Sequence, residues 1–564
     1  MRVWRVLPAV AAVVALTVGV ILGGSAAGAG SNSETLSATR LLAAAAAAPA
    51  AGAAAVTWGS NDAGQLGAGG TADISSVPVD VTTSGVLSGK TLSAVSAGTA
   101  HACAVSSGAG YCWGLNGNGQ LGNGTKTDSN VAVPVTSTGV LSGKTVTAIS
   151  AGFAHTCAIA GGAAYCWGSN ADGVLGNGSV IDSSTPVAVT ATGALAGKTV
   201  TAISAGRSNT CAIADGAAYC WGYAGFGALG SGTVDSAMPI AVTGALSGKK
   251  VTAISVGTVS ETSVCAVADG GAYCWGSNTY GQIGDGTTTA QNAPVAVSLG
   301  AQPVTDIAAG GFTTCAVAGG NAYCWGLNEF GELGNGTTTN SLTPVAVTTS
   351  GALSGKTVSA VSVGTQITGN KVHPGFAHTC AVAGGAPVCW GANQYGQLGS
   401  GSAGLPSLVP VAVSTADALS GQSVADVASG GVFSAAVTFA SGALVSLAPS
   451  RILDTRSGLG GSGPVAPKGT ISLQVLGQNG IPASGVSAVV LNVTVSAPVE
   501  AGYITVWPSG EQRQATSNVP FVKGQNGSNL VIVPVGADGK VQFFNGSTGT
   551  TKIVADVAGY VLGV

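Results

Sequence analysis

The stretch HTCAIAGGAAYCWG, residues 155–168, places two cysteines on either side of a Gly-Gly pair. Close copies of it occur five more times in the chain. Gly-Gly and Asp-Gly pairs are what a two-residue β-hairpin turn requires, so the sequence predicts a hairpin that turns at Gly161-Gly162. Counting outward from this turn places Cys157 opposite Cys166 at a non-hydrogen-bonded pair, where side chains approach most closely. We therefore predict a disulfide across the hairpin.

All twelve cysteines fall into six pairs of this kind. The predicted disulfide pairs are Cys103 with Cys112, Cys157 with Cys166, Cys211 with Cys220, Cys265 with Cys274, Cys315 with Cys324, and Cys380 with Cys389. A structural zinc site needs short Cys-x-x-Cys spacings and four convergent ligands, which this pattern does not supply. The cysteines therefore indicate structural bridges, and we expect neither a metal site nor a cofactor.

Seven Trp-Gly pairs show that the hairpin belongs to a longer repeat. They begin at Trp58, Trp113, Trp167, Trp221, Trp275, Trp325 and Trp390. A period of about 50 residues indicates one structural unit used repeatedly. One period holds four short strand candidates, at 146–150, 156–160, 163–167 and 186–190, separated by Gly-rich stretches. Four strands per repeat is the composition of a β-propeller blade, so the sequence predicts an all-β, seven-bladed propeller.

The two ends of the repeat region indicate how the ring closes. Trp58 has no cysteine-bearing strand before it, and residues 429–437 have no Trp-Gly after them. The two missing cysteine positions align with Thr57 and Ala435, which predicts that both lie opposite each other in one composite blade. Two alternatives remain at this point: atypical capping repeats at the ends, or residues 443–448 in place of the strand at 56–58.

Composition and the N-terminus indicate export. Arg2 and Arg5 precede an apolar run and then small residues, the order of a secretory signal peptide. The formal net charge of −3 gives no basic footprint for nucleic acid. We predict a signal peptide at 1–29, an Ala-rich linker at 30–55, a propeller at 56–447 and a β-sandwich at 448–564. After signal cleavage we expect no membrane anchor, and we expect a monomer.

The segments AGFAHTCAI and YCWGSNADGVLGNG, within 151–178, resemble the repeat of the regulator of chromosome condensation family. The resemblance implies a seven-bladed propeller. The founder of that family exchanges nucleotide on a small GTPase, an activity we do not transfer because this chain lacks basic tails and any match to the exchange wedge. The chain is also similar to secreted propellers that inhibit β-lactamases through one face of the ring.

The C-terminal region differs in texture and has no cysteine. Its strand-like segments predict a β-sandwich. The motifs PSRILDTRSGLGG (449–461) and DVAGY (556–560) resemble a C-terminal module of secreted actinobacterial proteins. Adhesion to cell wall or glycan is a fold-level analogy for this module.

Candidate binding residues lie in the loops. One aromatic residue precedes the second glycine of the Trp-Gly motif in four blades, at Phe226, Tyr280, Phe330 and Tyr395. Equivalent positions form a ring on one face, so these residues predict an aromatic arc; the alternative is that they pack on neighbouring loops. An insertion at 365–375 adds Lys371 and His373, and a smaller insertion brings Glu261. Departures from a repeat in loops are common functional positions.

Two other patterns have structural explanations. His101, His155 and His378 share one repeat position that other blades fill with Asn209, Ser263, Thr313 and Phe433, which indicates a hydrogen bond rather than a metal ligand. LSGKT (141–145) resembles the end of a phosphate-binding loop, but its glycine spacing and the strand that follows indicate a repeated β-turn.

These observations favour a secreted, disulfide-bonded, non-catalytic protein that acts outside the cell, in the medium or at the wall. It would bind a protein or a cell-wall glycan through a propeller face. The main alternative is an inhibitor of a secreted enzyme. A nucleotide-exchange regulator and a polysaccharide-acting enzyme are weaker alternatives, because no catalytic constellation is visible in the sequence.

Overall fold

The computed structural model describes residues 54–82, 84–259, 261–365, 376–440, 444–461, 463–482, 486–513 and 517–562. The predicted signal peptide and nearly all of the linker lie outside these residues, as do Lys371 and His373. The described residues form nine four-stranded antiparallel sheets. Seven of these sheets carry the repeat, which confirms the predicted seven-bladed propeller.

The chain begins in the last blade and then builds the other six in order. Blade 7 starts with β1 (Ala54–Ser60) and β2 (Ile74–Asp80). Blades 1 to 3 contain β3 (Leu92–Ala97), β4 (His101–Ser106), β5 (Ala109–Gly114), β6 (Ser129–Pro134), β7 (Val146–Ala151), β8 (His155–Ala160), β9 (Ala163–Gly168), β10 (Ser183–Ala188), β11 (Val200–Ala205), β12 (Asn209–Ala214), β13 (Ala217–Gly222) and β14 (Ser236–Ala241). Blades 4 to 6 contain β15 (Val251–Val256), β16 (Ser263–Ala268), β17 (Gly271–Gly276), β18 (Gln291–Val297), β19 (Val304–Ala309), β20 (Thr313–Ala318), β21 (Asn321–Gly326), β22 (Ser341–Ala346), β23 (Val358–Gly364), β24 (His378–Ala383), β25 (Ala386–Gly391) and β26 (Ser407–Ala412). Blade 7 is completed by β27 (Gln422–Ser429) and β28 (Phe433–Ala440).

The predicted hairpins have the expected register. Cys157 pairs with Cys166 across β8 and β9, and their Cα atoms are 4.0 Å apart. The turn residues Gly161 and Gly162 both have positive φ, 58° and 74°, as a type I′ turn requires. In all six hairpins the two sulfur atoms lie 2.07–2.13 Å apart, which fits six disulfide bonds.

The fourth strand of blade 2 differs from the prediction. It spans Ser183–Ala188 rather than 186–190. Ser183 pairs with Gly168 and Val187 with Cys166, so the register shifts between them. This irregularity lets residues before Pro186 join the strand, although Pro186 itself has no N–H to donate.

The ring closes in blade 7 as predicted. Its strand order is β2-β1-β28-β27, and Thr57 pairs with Ala435. Residues 444–448 do not fill this position, because β29 (Leu444–Asp454) pairs with a strand of the C-terminal region. The termini of the propeller therefore share one sheet.

The C-terminal region is a β-sandwich. Its strands are β29 (Leu444–Asp454), β30 (Thr470–Gln474), β31 (Val486–Ser496), β32 (Gly502–Pro508), β33 (Val519–Phe521), β34 (Gly527–Pro534), β35 (Lys540–Asn545) and β36 (Lys552–Leu562). They form two sheets, β29-β36-β31-β34 and β30-β35-β32-β33, with one shared hydrophobic core. The sandwich begins at Leu444, ahead of the predicted boundary at 448.

Helical structure is limited to short 3-10 turns in the described part of the chain. They span Gly85–Leu87, Gly139–Leu141, Gly193–Leu195, Gly225–Gly227, Gly244–Leu246, Gly351–Leu353 and Asp417–Leu419. Six of them introduce the strand that opens the next blade, so LSGKT is a turn followed by a strand. No helix among the described residues is both long enough and apolar enough to cross a membrane.

Candidate binding face

Two kinds of loop define the two faces of the ring. We call the face with the loops between first and second strands, and between third and fourth strands, the loop face. The opposite face holds the hairpin turns and the lysine-bearing connections between blades, and we call it the lysine face.

Every tryptophan of the repeat hydrogen-bonds to the blade before it. The indole Nε1 donates to a backbone carbonyl in the preceding blade's loop between third and fourth strands, at 2.7–3.0 Å. The acceptors for Trp58, Trp113, Trp167, Trp221, Trp275, Trp325 and Trp390 are Gln397, Gln65, Gln120, Val174, Ala228, Gln282 and Glu332. Since all seven indoles are fully buried, each bond fixes a loop of the loop face to the next blade's core.

The histidines extend this network, as the predicted hydrogen-bonding role requires. His155 Nε2 lies 2.9 Å from Thr210 Oγ1, and this hydroxyl donates to the Val174 carbonyl. The hydroxyl proton is thereby used, so the imidazole Nε2–H donates to it. Burial lowers the pKa of His155 to about 3 and of His101 to about 4, so both are neutral near pH 7. The hydrogen-bond partner lies in the next blade.

The ring axis is too narrow for a substrate. The first strands of all seven blades surround a cavity of about 80 Å³. Ser96, Ser150, Ser204, Ser255 and Ser362 each accept a hydrogen bond from a backbone N–H of the next blade's first strand. Between blades 5 and 6, Asp306 Oδ2 accepts that bond from Val361. Ligand pockets are usually about 300–1,000 Å³, so the surface loops are better binding candidates than the axis.

In most blades an asparagine organises the loop between third and fourth strands. Asn116 is buried; its Nδ2 donates to the Thr127 carbonyl at 2.9 Å and its Oδ1 accepts from the Leu121 N–H at 2.9 Å. The equivalent residues that make the same kind of bonds are Asn61, Asn170, Asn278, Asn328 and Asn393. A single amide, buried in every case except the half-buried Asn61, therefore holds both ends of each of these loops.

Blade 3 departs from this arrangement. Its loop carries Ala224 at the asparagine position and is one residue shorter before Asp235 than blade 1 is before Asp128. Asp235 Oδ1 accepts from the Ala224 N–H at 2.8 Å, which keeps one end of the loop in place. Phe226 adopts φ 59° and ψ 13°, a left-handed conformation that is costly for a bulky residue.

The loops of blades 2 and 3 expose several large apolar side chains. Val234 is 80% exposed, Ile181 75% and Phe226 44%. The complete set, which we call the apolar patch, is Val180, Ile181, Tyr223, Phe226, Val234 and Met238. In blades 4 and 5 the positions of Val180 and Ile181 are occupied by Thr288, Thr289, Thr338 and Thr339.

One backbone hydrogen bond joins the two blades at this patch. The Gly178 N–H donates to the Ala237 carbonyl at 2.9 Å, so the loop that carries Val180 and Ile181 runs along the strand that carries Met238. On its inner side, the Tyr223 N–H donates to the Ser208 carbonyl at 2.7 Å. Sequence reasoning missed this patch; its signal was the replacement of threonines by apolar residues at repeat positions.

Arg207 lies beside this inner edge, adjacent in sequence to Ser208. Its guanidinium carbon is 4.4 Å from the centroid of the Phe153 ring. One guanidinium nitrogen, Nη1, is buried without a hydrogen-bond partner among the described residues. Burial lowers the pKa of Arg207, and Asp172 opposes this shift.

The predicted aromatic arc divides into separate clusters. Tyr280 meets Phe312 edge-on, with ring centroids 5.1 Å apart. Phe330 stacks on Phe376 at 6.3 Å, and Tyr395 meets the same ring edge-on at 6.2 Å. These three residues are half-buried against loops that join first to second strands, while Phe226 is exposed. Their role in binding remains a prediction.

The other predicted surface residues have different outcomes. Glu261 is half-buried, and its Oε2 accepts from Thr279 Oγ1 at 2.8 Å and from Ser277 Oγ at 3.3 Å, so it connects two loops of blade 4. Lys371 and His373 lie outside the described residues, so their proposed role stays a prediction.

A buried carboxyl group distinguishes the loop of blade 5. Four other blades have glutamine at this position, Gln65, Gln120, Gln282 and Gln397, whose Oε1 accepts from the N–H two residues earlier. Glu332 Oε2 accepts in the same way from Phe330 at 2.8 Å, while Oε1 is buried without a hydrogen-bond partner among the described residues. Burial raises the pKa of Glu332 to about 8, so the group is mostly protonated at pH 7 and resembles the glutamines.

The two faces differ in charge. The described loops of the loop face carry mostly carboxylates: Asp62, Asp73, Asp128, Asp172, Asp182, Asp235, Glu261, Asp285 and Glu329, against Lys126 and Arg207. The connections of the lysine face contain Lys90, Lys144, Lys198, Lys249, Lys250 and Lys356, against Asp417 in a connection and Asp215 and Asp269 in the hairpin turns. The ammonium groups of Lys90, Lys144, Lys198 and Lys249 lie over tyrosine rings, 4.7–6.0 Å from the centroids. These four lysines therefore pack on tyrosine rings of the blades.

The charged residues of the C-terminal motif serve the sandwich itself. Arg451 donates to both oxygens of Asp556, from Nε at 2.8 Å and from Nη2 at 3.3 Å. Arg456 Nη2 donates to Asp454 at 2.7 Å, and this contact lowers the pKa of Asp454. The two motifs of this region therefore connect β29 to β36. Among the described residues no group of three or more His, Cys, Asp and Glu is arranged to hold a metal ion.

Comparison with known families agrees with this architecture. The model of the RCC1-like domain matches residues 45–369, more than half of the chain. The chain belongs to the RCC1-like domain family. The regulator of chromosome condensation (RCC1) repeat matches residues 389–437, which include the strands that complete the ring. Membership of this family supports a binding or regulatory role for the propeller.

Relatives of this RCC1-like chain match it over part of their length. The ultraviolet-B receptor UVR8 of Arabidopsis thaliana is 32% identical over 43% of this chain and 53% of its own. The E3 ubiquitin-protein ligase HERC2 of Homo sapiens is 32% identical over 45% of this chain and 5% of its own. The chain thus spans about half of UVR8 and a small part of HERC2.

Solved structures share the fold. Human WBSCR16 has a TM-score of 0.58 at 21% identity, covering 69% of this chain and 99% of the other. Yeast RCC1 (Prp20), solved with Kap60, has a TM-score of 0.61 at 17% identity, covering 75% and 97%.

Proposed function

We propose that this chain is a non-catalytic protein-binding protein that acts outside the cell and binds its partner through the loop face of the propeller. The observation that carries this proposal is the apolar patch. Groups of exposed apolar side chains on a soluble protein are a common property of interaction sites. They are displayed here on loops that the buried tryptophans fix to the neighbouring blade.

Other features support the location and the absence of chemistry. Six cysteine pairs at disulfide distance suit an oxidising compartment. The three buried histidines are engaged with the next blade, and the axial cavity is small. A rigid scaffold with variable loops is the usual arrangement of a binding module.

The test is a retention experiment with the oxidised full chain. The immobilised protein is incubated with culture supernatant and, separately, with purified cell walls, and retained material is identified by mass spectrometry. We expect one protein at fixed stoichiometry, lost when a loop-face residue is replaced (Val234→Lys) and kept when a lysine-face residue is replaced (Lys144→Glu). Retention of wall polysaccharide without a protein, or chemical turnover of retained material, would contradict the proposal. A retained enzyme that loses activity in the complex would identify the chain as its inhibitor.

A further inference from the structure

We infer that the apolar patch of blades 2 and 3 is the docking surface for a polypeptide whose apolar side chains are flanked by lysine or arginine. This inference rests on the proposed protein-binding function and specifies its site and the chemistry of the partner. It goes beyond the predicted arc, because five of the six patch residues were not part of that arc.

The loop of blade 2 has apolar residues where other blades have polar ones. At the positions of Val180 and Ile181, blades 4 and 5 carry threonine pairs. Replacing two solvated threonines by exposed Val and Ile adds apolar surface without adding contacts to the fold. Nothing in the packing of the loop requires these side chains, since Ile181 is 75% exposed. Their burial by a partner would remove this apolar surface from water, which is favourable.

Phe226 has a left-handed backbone conformation. Its φ of 59° places a large side chain in the left-handed region, and the side chain remains 44% exposed. Such conformations are unfavourable for a bulky residue and concentrate at ligand-binding positions. The equivalent residues Tyr280, Phe330 and Tyr395 have ordinary φ values and pack on nearby phenylalanines. Phe226 is therefore the aromatic residue of this series that is displayed to a partner.

Two aspartates lie beside residues of the patch. Asp182 follows Ile181, and Asp235 follows Val234. Each of these aspartates uses Oδ1 to accept a backbone N–H of its own loop, from Asn170 and Ala224, both at 2.8 Å. Their carboxylates are thus fixed at the edge of the apolar surface, where a cationic side chain would be attracted.

The same charges argue against other occupants. A second copy docked by two-fold symmetry would place these carboxylates against their own equivalents. An anionic lipid surface would be repelled in the same way. A neutral glycan would form few hydrogen bonds here, because the side chains of Val180, Ile181, Val234 and Met238 are apolar. A polypeptide with apolar and basic side chains satisfies both the surface and its rim.

The probe is a phage-displayed library of random 12-residue peptides, selected on the oxidised full chain. Affinities of selected peptides are then measured by fluorescence polarisation on purified variants. The test variant is Val180→Thr/Ile181→Thr/Phe226→Asn/Val234→Thr, in which the first three residues come from equivalent positions of other blades. The matched control is Thr288→Ser/Thr289→Ser in blade 4. The pair Val180→Thr/Ile181→Thr alone serves if the larger variant unfolds.

We expect selected peptides rich in apolar residues flanked by Lys or Arg, with at least tenfold weaker binding to the test variant and unchanged binding to the control. Asp182→Asn/Asp235→Asn should weaken binding two- to fivefold, and added salt should do the same. Peptides that bind the test variant as well as the natural chain would overturn this inference and leave protein binding elsewhere intact. Selected peptides without basic residues would overturn the assigned partner chemistry. Failure to enrich any peptide would overturn this inference, whereas the proposed function is decided by the retention experiment.

Discussion

The loops between third and fourth strands of blades 1 and 3 begin and end on matching strands but are held differently. In both, a tryptophan of the next blade donates to a loop carbonyl, Trp167 to Gln120 and Trp275 to Ala228. Asn116 then holds the loop of blade 1 from within, whereas blade 3 has Ala224 and a left-handed Phe226. The repeat keeps the residues that attach the loop to the ring and changes those that shape its surface. Scaffold and binding surface can therefore be tested separately.

Loss of the shared tryptophan should have the largest effect, and the effect should be similar for both loops. Trp167→Ala and Trp275→Ala each remove a fully buried side chain and its hydrogen bond, which should lower the free energy of unfolding by about 3–5 kcal/mol. Trp→Phe at each position separates the hydrogen bond from the packing and should cost less. Urea unfolding measures these values, and markedly unequal losses would show that the two loops are not attached in the same way.

In the loop of blade 5, Glu332 should make the stability of the protein depend on pH. Burial raises the pKa of Glu332 to about 8, well above that of an exposed glutamate. The unfolded chain therefore releases this proton at lower pH than the folded chain. This contribution to stability is fully present below about pH 4.5 and is lost as pH rises to about 8. Four other blades have glutamine at this position, so Glu332→Gln should remove this pH dependence. Urea unfolding at several pH values measures it. If the variant showed the same pH dependence as the natural chain, the prediction would be wrong.

Removal of the internal amide should affect blade 1 by an intermediate amount. Asn116→Ala leaves a buried N–H and carbonyl groups without partners, which should cost about 1–3 kcal/mol. Hydrogen exchange of the Leu121 amide should also become faster. The control Asn118→Ala removes a half-buried side chain of the same loop and should change stability by less than about 0.5 kcal/mol. Equal effects would mean that the amide does not hold the loop.

The smallest change in stability is expected when the left-handed Phe226 is replaced by glycine. Phe226→Gly permits φ 59° without strain but adds freedom to the unfolded chain, so stability should stay equal or rise by up to about 1 kcal/mol. Asn118→Gly, at the equivalent position of blade 1 where φ is not positive, should instead lower stability. Chemical unfolding distinguishes the two. A clear loss for Phe226→Gly would indicate that the ring contributes to folding rather than to display.

The sequence was sufficient for the repeated architecture because its signals are local. The Gly161-Gly162 turn and the flanking cysteines determine the hairpin register, and the paired absence of cysteine at Thr57 and Ala435 indicates the closing blade. The start of β10 was misplaced, because a register shift at Pro186 depends on the neighbouring strand. The inter-blade hydrogen bonds of tryptophan and histidine were missed in part, since residues of the acceptor blade lie about one period away in sequence.

The candidate site was harder to predict for the same reason. Tyr280, Phe330 and Tyr395 share a motif position with Phe226, but only their tertiary neighbours Phe312 and Phe376 determine whether a ring is covered. The exposed Val180 and Met238 come from different blades, and their proximity follows from the Gly178–Ala237 hydrogen bond. Composition at one repeat position cannot report on either contact.

The composite blade also has a consequence for synthesis. The Thr438 hydroxyl donates to the Ala54 carbonyl across 384 residues of sequence, so β1 has no partner on that side until the chain is almost complete. Blades 1 to 6 can be oxidised one hairpin at a time as they emerge, because each disulfide spans nine residues. The seventh blade has no cysteine in its equivalent pair, Thr57 and Ala435. The first and last segments of the propeller are therefore joined without a covalent bond, and closing the ring requires no pairing of thiols that are distant in sequence.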